Sequence, residues 1–434
     1  MKKFLSFLLV FLISITTFSG PISIFADSKD VSISSPNSVV LDYETGTVLY
    51  EKNGNEKIYP ASTTKIWTAY LVIKNVKNLD DSIEIDKDLS VDGSCMYLQK
   101  GEIFTVRELL QGLLVHSSND AAEVLAEYVS GSKGAFADLM NKEAKAIGAK
   151  NTHFNNPHGL PDKEHYTTAY DMALMAREAM SNDLIREIVS TKSLTFEKRD
   201  TPTSRRFITR TFFNTNKFLT STEKINYKGK SVDIKYDIVD GIKTGYTDDA
   251  GRCLLSSAVK NDMRVISAVY KDTGTDVYAD SRTLIDYAFD NYYNQTIINK
   301  TDYTKSKRVL FTKEKELLYE PEFNYKIVLE KGSKASEDYT AKVNLDYDLP
   351  IKKGDKVGTL DVYNGKTLEK TINLVSKNDL NSVFGFITEN TTVKYSLRLT
   401  LALISIFIIF IISRIITKRK IRRRRRKSNN FKRK

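Results

Sequence analysis

A serine and a lysine three positions apart, near the N-terminal end of the chain, constrain its fold and chemistry most. Ser62 and Lys65 begin a segment in which apolar residues recur at every third or fourth position, a pattern that predicts a buried helix. On a helix this spacing puts both side chains on one face, where the lysine amine can take the serine proton. A helix-capping serine followed by a surface lysine gives the same pattern, and for the pair alone we favour that simpler interpretation.

A second polar cluster, Ser117 to Asn119, lies between two segments with the apolar periodicity of helices. The first of these segments starts at Thr105 and Glu108, whose spacing predicts a capping box at its N-terminus. Serine and asparagine are also common in ordinary turns between helices, because their side chains bond to the nearby backbone. The cluster by itself is therefore consistent with reactive groups or with a plain helix-to-helix turn.

A third fragment, Lys243 to Tyr246, precedes strand-like segments, one of which alternates between apolar and polar residues from Met263 to Tyr270. Gly245 lets the backbone of a ligand approach closely, and Lys243 offers a fixed cation beside it. Lys-Thr-Gly triplets are frequent, so this fragment gains meaning only from its position after the other two.

Taken in this order, the three fragments resemble the active-site motifs of the serine penicillin-recognising enzymes. The surrounding sequence is similar to the low-molecular-mass penicillin-binding proteins, which are D-alanyl-D-alanine carboxypeptidases of serine peptidase type. The resemblance covers Ser38 to Asn291 strongly and a following β-rich segment more loosely. Four segments carry it: Tyr59–Lys65, Asn119–Ala122, Asn156–Leu160 and Asp240–Gly245.

The predicted elements give an α+β fold class. A hairpin at Ser38–Tyr50, helices from Thr63 to Ile188, strands from Val232 to Tyr270 and a helix at Thr283–Tyr293 imply an antiparallel sheet with a helical lobe. The resemblance implies the β-lactamase/transpeptidase-like fold, which has this arrangement. From about residue 295, short alternating runs separated by turn signals such as Asn364-Gly365 predict a small all-β domain with a spacer or docking role.

The resemblance also implies a mechanism. Ser62 attacks the carbonyl of the penultimate D-alanine of a peptidoglycan stem pentapeptide, Lys65 takes its proton, and Ser117 passes a proton to the departing D-alanine. Removing this residue limits cross-linking during cell-wall synthesis, and β-lactam antibiotics acylate the same serine. Lys65 must be neutral to act as a base, which requires a buried or cation-flanked position. The family uses no metal or other cofactor, and its substrate-binding positions correspond here to Asn119, Lys243, Thr244, Gly245 and Tyr246.

Two positions depart from the family pattern, and several other functions use similar motifs. The second fragment has Ser118 where glycine is usual, and Tyr246 stands where histidine or threonine is more usual. The implied oxyanion hole consists of the backbone N–H groups of Ser62 and Tyr246. The alternatives are a D,D-endopeptidase or transpeptidase with the same site, a class A-like β-lactamase, and a non-enzymatic surface protein.

The two chain ends predict export and a membrane anchor. Residues 1–26 resemble a signal peptide, residues 395–417 are apolar enough for a transmembrane helix, and residues 418–434 form a basic tail. The tail holds twelve Lys or Arg, equal to the formal net charge of +12. Beside an apolar span such a tail favours the cytoplasmic side of a membrane over a nucleic-acid partner. The catalytic domain (32–291) and the β-rich domain (295–385) would then be extracytoplasmic.

The cysteines and histidines suggest no further chemistry. Cys95 and Cys253 would both be exported, where a disulfide is possible, but we favour free thiols because Cys253 lies in a core-like strand. The four histidines have no zinc-ligand spacing relative to cysteines or acids. His158, within the Asn-Pro-His-Gly segment, is predicted to be part of a turn.

Overall fold

The computed structural model describes residues 31–199, 207–336, 338–383 and 391–431, so the predicted signal peptide lies outside the described residues. The chain forms two compact units. The first comprises the residues up to Gln295 together with Lys326–Lys334, and the second comprises Thr296–Tyr325 and the residues from Ala335 onward. The domain limits that we predict from the sequence, 32–291 and 295–385, stay predictions.

The first unit contains a strand-rich layer and a helical lobe. Its strands are β1 Asn37–Asp42, β2 Val48–Lys52, β3 Ser82–Glu84, β4 Ile103–Thr105, β5 Ser193–Arg199, β6 Phe207–Phe213, β7 Lys224–Tyr227, β8 Lys230–Asp233, β9 Val239–Thr247, β10 Gly251–Lys260 and β11 Met263–Asp272. Its helices are α1 Lys65–Asn75, α2 Val106–Val115, α3 Asn119–Ser130, α4 Lys133–Ala146, α5 Ala169–Ala179, α6 Asp183–Ser190 and α7 Asp276–Asn291, with short 3₁₀ helices at Ala61–Thr64 and Lys217–Leu219.

The main sheet has five antiparallel strands in the order β2-β1-β11-β10-β9. Both of its faces are buried. On β11, Ile266 and Ala268 join the core shared with the helical lobe, whereas Val265 and Val269 join a second core with α7. This separation follows from the two-residue period of a strand, which sends successive side chains to opposite faces. The β9 strand lies at one edge of the sheet, next to the helical lobe.

Local signals in the sequence explain much of the helical lobe. The predicted capping box is present, because Thr105 Oγ1 accepts the Glu108 N–H at 3.1 Å and the Glu108 carboxylate accepts the Thr105 N–H at 2.8 Å. Helix α3 ends at Gly131, whose φ of 76° is a left-handed conformation that favours glycine.

Two predicted boundaries in this unit were wrong. Strands return at Ser193 rather than near Val232, because β5 and β6 form a hairpin in which Phe196 and Phe212 enter the core. Charged residues interrupt the apolar alternation of this hairpin, which hides it in the sequence. Helix α7 begins at Asp276 rather than Thr283, since its first apolar residues already pack against the sheet.

The strands after β11 are β12 Tyr292–Ile298, β13 Lys305–Arg308, β14 Glu316–Pro321, β15 Tyr325–Glu330, β16 Tyr339–Leu345, β17 Lys356–Asn364 and β18 Thr367–Ser376. The second unit contains an antiparallel five-stranded sheet in the order β13-β14-β18-β17-β16 around its own apolar core. The turn between β17 and β18 consists of Gly365 and Lys366, one position beyond the predicted Asn364 start, and Gly365 has φ 58°. A short two-stranded sheet joins β12 and β15 and lies mainly in the first unit, which includes Lys326–Lys334.

The last described element is helix α8, Thr391–Phe431, which has 41 residues. Its stretch Tyr395–Arg422 is long and apolar enough to cross a membrane, and its apolar side chains are exposed to the surroundings. The predicted span at residues 395–417 lies within this stretch. By length and composition, α8 is therefore a candidate membrane anchor.

Candidate active site

Ser62 and Lys65 meet at the start of the helical lobe. Ser62 lies in the 3₁₀ helix that leads into α1, and Lys65 is the first residue of α1. Lys65 Nζ is 2.9 Å from Ser62 Oγ and donates a hydrogen bond to it. Ser62 is not the capping residue of either helix. The simpler interpretation, a capping serine followed by a surface lysine, is therefore not what the structure shows.

Lys65 is fully buried, and its second partner comes from a distant part of the chain. Its Nζ donates to the backbone carbonyl of His158 at 2.8 Å, across 93 positions of sequence. Burial, followed by the nearby ammonium group of Lys243, holds the pKa of Lys65 well below that of a free lysine. A neutral amine in this place keeps one N–H on the carbonyl and turns its lone pair to the serine hydroxyl.

A glycine lets the loop that carries this carbonyl press against the serine turn. Gly159 has φ 88°, and a side-chain carbon at this position would stand 1.8 Å from the Ala61 carbonyl oxygen. No residue with a side chain fits there without moving the backbone. The Asn-Pro-His-Gly segment therefore positions the His158 carbonyl, and the imidazole of His158 faces Glu123 at 3.5 Å instead.

The second cluster forms the turn between α2 and α3. Ser117 has φ 69°, which is a strained conformation for a residue with a side chain, and it is 5% exposed. The Asn119 side chain donates to the Asp92 carbonyl at 2.5 Å, and its backbone N–H donates to the Ser94 carbonyl. Among the described residues, the buried Asn119 Oδ1 has no hydrogen-bond partner. This oxygen is an acceptor that a substrate N–H could satisfy.

The third cluster lies on β9, at the edge of the sheet. Lys243 is 1% exposed, its Nζ donates to the Thr244 carbonyl at 2.9 Å, and burial lowers its pKa to about 7. The Thr244 hydroxyl is 2.6 Å from that of Thr215. A side-chain carbon at Gly245 would stand 3.1 Å from the Ser62 nitrogen, so this glycine lets β9 pass close to Ser62.

An open cleft of about 460 Å³ connects the three clusters. Tyr246 stands at its rim and is 52% exposed, with its hydroxyl on Asp248 at 2.8 Å. The Arg252 guanidinium lies 4.4 Å from the centre of the Tyr246 ring, which fixes the ring by a cation–π contact. The lining residues are Ser62, Ser94, Ser117, Thr215, Lys217, Thr244, Gly245, Tyr246, Arg252, Cys253, Leu254, Gly274, Thr275, Val277 and Tyr278.

The predicted residues thus occupy two layers. Five of the eight line the cleft, namely Ser62, Ser117, Thr244, Gly245 and Tyr246. Lys65, Asn119 and Lys243 lie beneath it with exposures of 3% or less. Cys95 and Cys253 are buried free thiols, and the described residues contain no cluster of three or more histidines, cysteines or acids that could hold a metal.

Three contributors to the site were missed by sequence reasoning. They are the His158 carbonyl, the Thr215 hydroxyl and the Arg252 guanidinium. The Asn-Pro-His-Gly segment carries part of the family resemblance, but a backbone carbonyl leaves no signature of its own in the sequence. Arg252 could have been found, since it faces Tyr246 across the β9–β10 hairpin.

Two family models match most of the chain. The sequence matches the family of D-alanyl-D-alanine carboxypeptidases over residues 24–274. It also matches the C-terminal domain of penicillin-binding protein 5 over residues 292–382. The chain belongs to the D-alanyl-D-alanine carboxypeptidase family. One curated member, DacF of Bacillus subtilis, is 32% identical over 398 residues, which cover 89% of this chain and 97% of the relative.

Solved structures of the family have the same fold. Penicillin-binding protein 5 of Haemophilus influenzae is 27% identical, with a TM-score of 0.58 over 82% of this chain and 100% of its own. The DD-transpeptidase of Streptomyces K15 is 30% identical, with a TM-score of 0.54 over 60% of this chain and 99% of its own. The predicted fold class, an α+β catalytic domain followed by an all-β domain, is confirmed.

Proposed function

We propose that this protein is a serine-type D-alanyl-D-alanine carboxypeptidase that removes the terminal D-alanine from peptidoglycan stem pentapeptides through an acyl-enzyme on Ser62. The observation that carries this proposal is the 2.9 Å contact between the Ser62 hydroxyl and the fully buried amine of Lys65. A serine needs an adjacent base to become a nucleophile, and a buried lysine with a lowered pKa is such a base at neutral pH.

In the acylation step, neutral Lys65 takes the Ser62 proton while Oγ attacks the carbonyl carbon of the penultimate D-alanine. The negative charge that develops on the carbonyl oxygen is stabilised by the backbone N–H groups of Ser62 and Tyr246. Ser117, in the same cleft, passes a proton to the nitrogen of the departing D-alanine. Water then attacks the ester carbonyl, which releases the shortened peptide and restores the Ser62 hydroxyl.

Substrate recognition uses the other residues. The terminal carboxylate meets the hydroxyl of Thr244, and the ammonium group of Lys243 beneath it supplies the complementary charge. Asn119 Oδ1 accepts an N–H of the substrate backbone, because this oxygen is otherwise unsatisfied. Tyr246 contacts the stem peptide at the rim, and Gly245 leaves room for its backbone. β-Lactams acylate Ser62 in place of the peptide.

Transfer to an amine is the second candidate. The structural relative from Streptomyces K15 is a DD-transpeptidase, and transpeptidation differs only in that an amine replaces water as the acceptor. Assays of the wild-type protein with a pentapeptide, with and without added D-amino acid or glycine, separate the two. Release of D-alanine that is unchanged by the amine, with no exchange product, supports the carboxypeptidase.

We propose that α8 crosses the cytoplasmic membrane with the catalytic unit outside and the basic tail in the cytoplasm. Residues 418–434 carry twelve Lys or Arg and no acid, and positive residues next to a span favour the cytoplasmic side. The stretch Tyr395–Arg422 is long enough for the purpose, since about 20 helical residues span a bilayer.

The decisive experiment is mass spectrometry of the protein after incubation with benzylpenicillin. We expect one covalent adduct on the wild type, no adduct on Ser62→Ala, and an unchanged adduct on the control Ser231→Ala, which alters an exposed serine of β8. D-alanine release from a synthetic pentapeptide should fall by at least about 1,000-fold in Ser62→Ala. Adduct retained on Ser62→Ala would disprove the assignment of the nucleophile.

A further inference from the structure

An exposed apolar cluster lies at one end of the second unit, and the proposed function does not use it. Leu310 and Phe311 are 68% and 67% exposed and lie in the first half of the turn between β13 and β14. Val383, which is 41% exposed, lies beside them. We call Leu310, Phe311 and Val383 the apolar tip. Adjacent exposed large apolar side chains are unusual on a protein that faces only water.

The apolar tip is held firmly. The Val383 N–H donates to the Phe311 carbonyl at 2.8 Å, and Thr312 pairs with Ser382 in an isolated antiparallel bridge. Phe311 has φ 61°, a left-handed conformation that is unfavourable for a bulky residue. The turn thus presents an aromatic side chain outward, at a cost in backbone strain, from a rigid support.

The position of the tip along the chain indicates what covers it. Val383 is eight positions before Thr391, where helix α8 begins. Eight residues reach at most about 29 Å even when fully extended, which sets an upper limit on the distance between Val383 and the start of the helix. The sheet register also places the tip beyond the C-terminal end of β18, the end from which the chain proceeds toward α8.

The charge around the tip also fits a membrane surface. Residues 305–316 contain five Lys or Arg and two Glu. One of the two acids, Glu314, is engaged by the Asn381 side chain at 2.9 Å. Apolar side chains surrounded by cations are typical of surfaces that enter the interface of a bilayer with anionic lipids. The five cations, all exposed, are Lys305, Lys307, Arg308, Lys313 and Lys315.

We propose that the apolar tip inserts into the interfacial layer of the outer leaflet of the cytoplasmic membrane. The surrounding cations then lie on anionic lipid headgroups. One end of the β-rich unit would then be bound to the bilayer surface, which would restrict the orientation of this unit relative to its anchor. This inference rests on the proposed membrane anchor but not on the proposed catalysis.

The test uses the full-length protein in vesicles of phosphatidylcholine and phosphatidylglycerol that carry bromine atoms high on the acyl chains. Phe311→Trp introduces a fluorescent reporter, and the single native tryptophan, Trp67, is fully buried and serves as the baseline. Leu368→Trp is the matched control, because Leu368 is 51% exposed but begins β18, at the other end of the sheet. Leu310→Trp repeats the measurement if Phe311→Trp folds poorly.

We expect bromine to quench the added emission of Phe311→Trp at least twofold and to leave that of Leu368→Trp unchanged. Replacing phosphatidylglycerol with phosphatidylcholine should reduce the quenching. Equal quenching at both positions, or none at either tip position while the protein floats with the vesicles, would overturn the proposal and leave the anchor intact. A blue shift of the added tryptophan emission that grows with the ratio of protein to lipid, without quenching by bromine, would show that a second copy of the protein covers the tip instead. Failure to float would overturn both the anchor and the tip, whereas penicillin binding reports the catalytic site separately.

Discussion

Two buried lysines of the first unit and two exposed lysines of the second unit lie in opposite electrostatic surroundings. In the first unit, Lys65 and Lys243 are buried, and their hydrogen bonds go to a hydroxyl and to backbone carbonyls. In the second unit, Lys300 and Lys377 are 38% and 41% exposed and share the carboxylate of Glu320 at 3.0 and 2.7 Å. Among the described residues, Lys65 and Lys243 form no ion pair, whereas Lys300 and Lys377 each bind a carboxylate oxygen. Other lysines of the first unit, such as Lys133, also pair with acids, so the difference concerns the two buried lysines.

The difference shows where the protein gives up stability for reactivity. Burial lowers the pKa of Lys243 to about 7, below the value of about 10.4 in an unfolded chain. Between these two pKa values only the unfolded chain binds a proton on this lysine. The free energy of unfolding therefore decreases as the pH falls from about 10.4 to about 7. At neutral pH the loss is on the order of 4 kcal/mol. Such a loss is understandable at an active site and has no counterpart at the exposed lysines of the second unit.

The largest effect is expected at Lys65, the proposed catalytic base. Lys65→Ala removes the acceptor of the Ser62 proton, so the rate of acylation by benzylpenicillin should fall by about 100- to 10,000-fold. The matched control is Lys377→Ala, which deletes a lysine of the second unit and should change the rate less than twofold. Stopped-flow acylation measures both. Similar losses in the two variants would mean that Lys65 is not the base.

A smaller but selective effect is expected at Lys243. Lys243→Ala removes the buried cation proposed for the terminal carboxylate, and kcat/KM for a free-acid pentapeptide should fall by about 10- to 150-fold. The same peptide with an amidated terminus should be a poor substrate for wild type and variant alike. Hydrolysis of amide and acid at equal rates by the wild-type protein would refute the role of Lys243.

The pH dependence of kcat/KM gives a third test. The rate should rise as Lys65 loses its proton and fall, by no more than about tenfold per pH unit, as Lys243 loses its own above about pH 7. Lys243→Arg keeps the positive charge at every accessible pH, so it should abolish the falling limb and leave the rising limb in place. A falling limb that persists in this variant must belong to another group.

The smallest effect is expected in the second unit. Two lysines hold the pKa of Glu320 at about 2, and Glu320→Gln removes this interaction. The charged carboxylate contributes stability above its unfolded pKa of about 4.3, and the contribution disappears as the pH falls toward 2. Thermal unfolding at pH 7 should show a loss below about 1 kcal/mol, with penicillin binding unchanged. A loss of several kcal/mol would show that Glu320 and its two lysines are as consequential as the buried lysines.

The sequence was most informative where the interacting residues lie within a few positions of each other along the chain. The capping box at Thr105 and Glu108 and the contact between Ser62 and Lys65 are local, and the structure contains both. The hairpin of β5 and β6 escaped prediction because charged residues conceal its apolar face until it packs on the lobe. The start of α7 was misplaced because its first turn is buried by the sheet rather than marked by a capping side chain.

The sequence by itself determined the kinds of reactive group, their order along the chain and the family to which they belong. The tertiary structure decided the setting in which those groups can react. It brought the His158 carbonyl to Lys65, the cation of Lys243 near the same amine, and the hydroxyl of Thr215 to Thr244. The physical reason is that a pKa depends on solvent exclusion and on charges within a few ångströms, and these are set by contacts between distant segments.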